Sequence, residues 1–397
     1  MRVPRVAYFP DSFHEVNGVA HTSRNFVAYA ERHGLPFLCV RAGAREQALE
    51  QVGELRTLEL KRSRSSVRME KDLEFDTLFW RHGEAIRLAL ERFRPDVIHI
   101  TGPSELGMFG AYFAWEMGVS LAASWHTNVH EYAARRMGWL TGRMSGSRGN
   151  AIEDGVEAGA LWATSQFYKL AKVLFAPNGE LCRMLEKTTG RPCFLMQRGV
   201  DTEWFSPAHR TREVSDPTVV LGYVGRLSVE KNVALLARVE RGLEAMGVSG
   251  VRFLIVGHSS EEASLRRDLK EAEFAGVLRG AALAQAYANM DVLVFPSHTD
   301  TFGNVVLEAL ASGVPAVVTP DGGPKFIVQD GETGFVTEDD HFADAVAELV
   351  RDRTRLEEMR LKAREYALGC SWDAVFDRVY TGYETVLRAA GKDACGE

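Results

Sequence analysis

Short apolar runs alternate with segments of helical period from one end of this 397-residue chain to the other. In the first half, residues 3–9, 35–40, 97–100, 119–124, 173–176 and 193–196 read as buried strands. Helical stretches near 22–32, 73–94 and 105–117 lie between them. Arg94-Pro95-Asp96 ends one helix and starts a strand, because the residue before a proline is pushed out of the helical region. The second half starts again with a strand at 218–224 and continues through 251–256, 276–278, 292–295 and 316–319. Parallel strands need long crossovers, usually helical, so this alternation predicts an α/β fold of parallel sheets covered by helices. The length leaves room for two domains, each with its own core. Residues 198–217, polar and rich in Arg, Thr and Ser, read as the linker between them.

The formal charge of −7 argues against a general nucleic-acid binder, whose footprint is basic. No apolar run approaches the ~18 residues of a membrane-spanning helix. The N-terminus, M-R-V-P-R-V-A-Y-F-P-D, reads as a first strand rather than a signal peptide. Cys39, Cys182, Cys193, Cys370 and Cys395 are scattered and fit neither a disulfide framework nor a zinc motif. They are expected to be free thiols in a reducing cytoplasm.

The most informative stretch is F-P-S-H-T-D-T-F-G-N-V-V-L-E-A-L-A-S-G-V-P, residues 295–315. A strand ends at Phe295, Pro296 and Gly303 break the chain, and a helix follows with Val306, Leu307 and Leu310 on one face. Gly313 and Pro315 close it. Asp300 in the loop and Glu308 in the helix are expected on the order of 10 Å apart, and the helix N-terminus between them favours an anion. A second stretch, G-Y-V-G-R-L-S-V-E-K-N (222–232), places Arg226 and Lys231 between a strand and a helix start near Lys231. A forked guanidinium and a point-charge ammonium there suit a diphosphate. The alternatives for these two stretches are a plain strand–loop–helix with solvated acids and a surface turn with solvated cations.

Four weaker loops follow the same logic. Asn17-Gly18 ends the loop after the first strand, where backbone N–H groups can face a phosphate or simply make a turn. His126, in S-W-H-T-N, follows the strand at 119–124, at the carboxyl end where open parallel sheets bind ligands; a structural histidine is the alternative. Gly257-His258-Ser259-Ser260 and Asp321-Gly322-Gly323-Pro324-Lys325 are further strand-to-helix turns, and 330–335 reads as a tight structural turn. Near the C-terminus, Trp372, Val375, Phe376, Val379, Tyr380, Tyr383 and Leu387 form a stripe expected to be core.

Together the 222–232 and 295–315 stretches resemble the retaining GT-B glycosyltransferases of family GT4, whose signature is an acid-x7-acid segment. The first acid is most often Glu there and is Asp300 here; Phe326 stands where many relatives have Glu, and the second glycine of the usual G-x-G is missing from Gly257-His258-Ser259. The resemblance runs from Pro10 to about Leu387. It implies two Rossmann-like, doubly wound domains facing a cleft, an acceptor domain at 1–198 and a nucleotide-sugar domain at 199–370, with a helix at 371–397 returning to the first. By carry-over, Glu308 holds the ribose hydroxyls, Arg226 and Lys231 the diphosphate, and Asp300 with the Thr301, Phe302, Gly303 and Asn304 backbone the donor sugar. His126 and Gly18 close from the other side. No D-x-D motif is present, so metal-independent transfer of a hexose, of mannose or glucose type, with retention is expected. The donor is a nucleoside diphosphate sugar, the acceptor a lipid or glycan hydroxyl, and no further cofactor is expected.

Two basic stretches remain. Residues 56–71 hold six cations against two acids, and 133–151 carry Arg135, Arg136, Arg143 and Arg148 among Met137, Trp139, Leu140 and Met144. They read either as solvated faces or as a patch for an anionic membrane, which would make the protein peripheral on the inner membrane face. Two other function classes stay open: a nucleotide-sugar epimerase or hydrolase on the same fold, and a non-catalytic sugar-nucleotide-binding protein.

Overall fold

The computed structural model describes residues 3–15, 18–43, 48–63, 67–70, 73–75, 79–125, 165–213, 216–300 and 302–393. The chain divides into two compact units, Met1–Arg198 with Val375–Glu397, and Gly199–Ala374.

The first unit holds strands β1 (Val6–Phe9), β2 (Phe37–Gly43), β3 (Ala48–Val52), β4 (Leu55–Lys61), β5 (Val67–Glu70), β6 (Leu73–Phe75), β7 (Val97–Ile100), β8 (Ser120–Ser124), β9 (Val173–Ala176) and β10 (Cys193–Leu195). Its helices are α1 (Gly18–Arg32), α2 (Gly83–Phe93), α3 (Glu105–Glu116) and α4 (Gly179–Thr189). The main sheet runs β10-β9-β8-β7-β1-β2-β4-β3, parallel except for the β3–β4 hairpin at one edge. β1 and β7 to β9 are buried throughout, apart from the first residue of β8. This is why they appear in the sequence as continuous apolar runs.

The second unit holds β11 (Val219–Val224), β12 (Val251–Val256), β13 (Ala272–Gly276), β14 (Val292–Phe295), β15 (Ala316–Val318) and β16 (Gly334–Val336). Helices α5 (Ala234–Ala245), α6 (Glu262–Asp268), α7 (Gly280–Ala288), α8 (Asn304–Ala311), α9 (Phe342–Arg351) and α10 (Arg353–Leu368) accompany them. The sheet order is β13-β12-β11-β14-β15-β16, parallel throughout. Counted within the unit this is 3-2-1-4-5-6, the doubly wound dinucleotide-binding order. The final helix, α11 (Trp372–Asp393), belongs to the first unit from Val375 on. There Phe376 stacks on Phe26 at 4.4 Å, and Tyr29 donates its hydroxyl to Asp377 at 2.5 Å.

Several local expectations are corrected. The helix expected over 73–94 starts only at Gly83, and Leu73–Phe75 instead pairs with β5. The strand expected at 276–278 lies earlier, because Gly276 turns the chain at φ +68° and leaves Val277 exposed. The turn expected at 330–335 runs into the edge strand β16. Residues 56–61 of the first basic stretch belong to β4, with Leu58 and Leu60 buried. Residues 198–217 are no free linker: Arg210 and Arg212 reach Asp291 at 2.8 and 2.6 Å, within the second unit. The four described cysteines are free, and Cys395 lies outside the described residues.

Candidate functional site

In an open α/β sheet, ligands bind beyond the carboxyl ends of the strands, where the strand order reverses. In the second unit that reversal falls between β11 and β14, paired through Leu221–Val292 and Gly222–Leu293. The loop after β11 carries Arg226 and a short 3₁₀ turn, Val229–Lys231; the loop after β14 carries Asp300. The adjacency of the strands brings the two loops together. Lys231 Nζ bonds Asp300 Oδ2 at 2.8 Å, and both side chains are largely shielded from water. Arg226 pairs with Glu230 at 2.5 Å in the open, with 70% of its side chain exposed. Thr299 Oγ1 donates to the Glu230 carbonyl at 3.2 Å, a second link between the loops.

Tyr223 supports the first loop from below. Its hydroxyl donates to the Arg226 carbonyl at 2.9 Å, and its ring stacks on Phe295. Burial, and then the Asp300 charge, push its hydroxyl well above the ordinary range, so it stays a donor. The loop after β12 lies against Gly225: a Cβ on Gly257, at φ +142°, would come within 1.8 Å of the Gly225 carbonyl oxygen.

The Asp300 backbone is also fixed. Gly323 N donates to its carbonyl at 2.7 Å, and Gly322 takes φ +68° beside it, where a Cβ would stand 2.6 Å from that oxygen. Two positions earlier, His298 meets Asp321 through Nδ1 at 2.8 Å and Asp339 through Nε2 at 3.1 Å. Asn232, at φ +53°, donates to Asp339 at 2.9 Å. Asn232, His298 and Asp321 stand in motifs legible in the sequence, but their link through Asp339, 41 residues beyond His298, is not encoded by any local pattern.

Glu308 lies on α8, and its carboxylate accepts from Tyr287 of α7 at 2.7 Å. Burial raises the carboxyl above its ordinary range, and the Tyr287 bond offsets part of that. Gly303 caps α8 at φ +91°, Asn304 opens the helix on the surface, and Phe302 packs partly buried on the core. Sequence reasoning did not single out Tyr287.

Of the remaining expected site residues, His126 and Thr301 lie outside the described residues, as do Asn17 and the basic stretch 133–151. Gly18 opens α1 in the first unit, with the Arg198 guanidinium lying against it.

Residues 16–204 match the family model for glycosyltransferase family 4, and residues 218–352 the model for glycosyl transferases group 1. Over 308 residues the chain is 35% identical to a GDP-mannose-dependent alpha-mannosyltransferase of Mycobacterium tuberculosis, covering 75% of each chain. A protein of the same name from Corynebacterium glutamicum is 28% identical over 399 residues, covering 98% of this chain and 90% of that one. Sucrose-phosphate synthase from Thermosynechococcus elongatus superposes with a TM-score of 0.64 at 18% identity, covering 98% of this chain and 100% of the other; that likeness is one of fold. The chain is a GT-B glycosyltransferase of family GT4, with a glycosyltransferase family 4 domain followed by a glycosyl transferases group 1 domain.

Proposed function

We propose that this glycosyltransferase moves a hexose, of mannose or glucose type, from a nucleoside diphosphate sugar to a hydroxyl of a lipid or glycan, with retention and without a metal ion. The observation that carries the reading is the shielded Lys231–Asp300 pair at the strand-order reversal, with Arg226 in the same loop. GDP-mannose is the favoured donor, because the relatives of M. tuberculosis and C. glutamicum are named for it.

In this reading the bond from the sugar's anomeric carbon to the β-phosphate oxygen breaks, and the acceptor oxygen bonds that carbon on the same face. The acceptor's proton passes to the departing phosphate, so no general base is needed from the chain. Negative charge grows on the diphosphate, and Lys231 and Arg226 offset it, which is the main electrostatic demand of such a step. They take the part a divalent ion plays elsewhere. Arg226 reaches the phosphate at small cost, since an exposed ion pair is worth about 0–1 kcal/mol and a hydrogen bond to a charged group about 1.5–3 kcal/mol. Asp300 accepts hydroxyls of the donor sugar, and ionised Glu308 accepts the ribose hydroxyls. The acceptor, and any peripheral contact with an anionic membrane, follow from this reading as expectations for a cytoplasmic enzyme.

The test incubates the protein with GDP-mannose or UDP-glucose, a lipid extract or glycan pool, and EDTA, followed by mass spectrometry and NMR of the anomeric proton. A hexosylated product of retained configuration, lost in Lys231→Ala, supports the reading. Donor turnover without acceptor would favour the epimerase or hydrolase, and nucleotide binding without turnover the binding protein.

A further inference from the structure

We propose that His298 is a positioning residue of the donor site, binding four adjacent strand-end loops into one unit that holds Lys231 and Asp300 in register. The inference rests on the reading of that pair as the place where the sugar diphosphate binds.

The loops follow β11, β14, β15 and β16, which are neighbours in the sheet. His298 comes from the second, Asp321 from the third and Asp339 from the fourth, and its ring bonds both carboxylates. Asn232 brings in the first loop through its bond to Asp339, and its amide nitrogen lies 3.3 Å from His298 Nε2. The carboxylates meet opposite edges of the ring and so do not converge on a common point, which distinguishes this cluster from a metal site.

The cluster is set around the reactive pair by chain position. Asn232 directly follows Lys231, and its left-handed backbone (φ +53°) fixes where the chain leaves the lysine. His298 precedes Asp300 by two residues. The 321–323 loop grips that segment twice, through Asp321 on the imidazole and through Gly323 N on the Asp300 carbonyl. Without the imidazole, Asp321 and Asp339 would face each other across an empty gap, and the loops carrying Lys231 and Asp300 would lose their shared anchor. Catalytic groups need such support, because small displacements of the reacting geometry are costly.

The test is calorimetric titration of the full-length protein with GDP-mannose and with GMP, for wild type, His298→Ala, His298→Gln and Lys231→Ala. GMP retains the ribose but lacks the β-phosphate and the sugar, so it reports on the Glu308 side. The expected result is a loss of about tenfold or more in GDP-mannose affinity for His298→Ala, the value of one charge-assisted hydrogen bond. GMP affinity should hold, and His298→Gln, which retains an amide donor, should recover part of the loss. Unchanged GDP-mannose binding in His298→Ala, beside a clear loss in Lys231→Ala, overturns the inference and leaves the donor-site reading intact. A parallel loss of both ligands with a lowered melting temperature overturns it too, as a general folding role. Unchanged binding in Lys231→Ala as well sinks the donor-site reading, and this inference with it.

Discussion

Tyr287 of α7 donates its hydroxyl to Glu308 of α8 at 2.7 Å, so one helix holds the carboxylate that the next presents. Tyr287 is fully buried; burial, and then the Glu308 charge, push its hydroxyl well above the ordinary range and keep it a donor.

Glu308 is therefore expected to set stability and nucleotide binding against each other. Its carboxyl is raised by burial, so the native state holds the proton at pH values where the unfolded chain has released it. Stability falls as pH rises from the ordinary carboxylate value through the raised one. Nucleotide affinity, which needs the carboxylate, rises over the same window. Glu308→Gln should flatten both trends, holding or raising stability at neutral pH while nucleotide affinity drops about tenfold or more. Tyr287→Phe removes the group that lowers the Glu308 value, so the acid limb of nucleotide binding should move to higher pH. Urea unfolding and calorimetry from pH 4 to 8 measure both, and an unmoved limb in Tyr287→Phe would count against the coupling.

Asp11 gives a comparable prediction in the first unit. Burial pushes its carboxyl up to about 6, against partial relief from the Ser104 hydroxyl that donates to it; nearby Glu105 adds to the rise. Thr101 Oγ1 accepts the Asp11 N–H at 2.7 Å and fixes the loop after β1. Between the unfolded value near 3.8 and about 6 the native state binds more protons, so Asp11 costs stability progressively as pH rises through that window. Asp11→Asn does not titrate. Relative to wild type it should gain up to about 3 kcal/mol between pH 4 and pH 7, at ~1.4 kcal/mol per pKa unit. Parallel stability curves for the two proteins would show that Asp11 ionises without that penalty.

The residues that were legible in the sequence are those whose chemistry is local. Arg226 and Lys231 lie five residues apart in one loop, and the apolar run Val292–Phe295 marks the strand before Asp300. Their meeting depends on β11 lying beside β14, and the Lys231–Asp300 contact spans 69 positions that no local pattern encodes. His298 reads as one polar loop residue among several until β15 and β16 bring Asp321 and Asp339 to it. The edge strands are illegible in the sequence for a different reason. β3 is exposed along most of its length and β13 only half-buried, so neither carries the continuous apolar run that marks a central strand.

Asp291 shows how the segment before β11 is held. Its carboxylate accepts from Arg210 at 2.8 Å, Arg212 at 2.6 Å, Arg360 at 3.1 Å and the Val220 N–H at 2.8 Å. Burial alone would raise its pKa, but the Val220 N–H and the arginines hold it below the ordinary range. The stability it contributes is present above the unfolded carboxylate value and is lost as pH falls through the depressed one. Asp291→Ala leaves shielded cations without their shared partner and should cost about 3–5 kcal/mol in urea unfolding. Asp291 precedes β14, whereas the Asp300 loop follows it, about 13 Å away at the usual strand rise. The folded variant should therefore bind nucleotide almost normally; a tenfold loss of affinity without a loss of stability would overturn this division between frame and site.

Arg226 and Lys231 are expected to separate in the opposite way. The Arg226–Glu230 pair is exposed, 70% and 50% by side chain, and such i,i+4 pairs contribute about 0.3–0.5 kcal/mol. Arg226→Ala and Glu230→Gln should therefore leave unfolding free energy almost unchanged. Glu230→Gln should also leave sugar transfer within about twofold, since it removes only a weak competitor for the guanidinium. Arg226→Ala removes a forked donor from the leaving diphosphate and should lower kcat by about 10- to 100-fold, less than the roughly 100- to 1000-fold cost of losing a preorganised donor, because the guanidinium must first turn from Glu230. Arg226→Lys should recover only part, because an ammonium lacks the fork. Lys231→Ala strips the cation from a shielded carboxylate and should lower both stability and transfer. Transfer assays beside urea unfolding separate the cases. A kcat for Arg226→Ala within threefold of wild type would show that the exposed guanidinium does not turn toward the diphosphate, leaving Lys231 as the cation that offsets its charge.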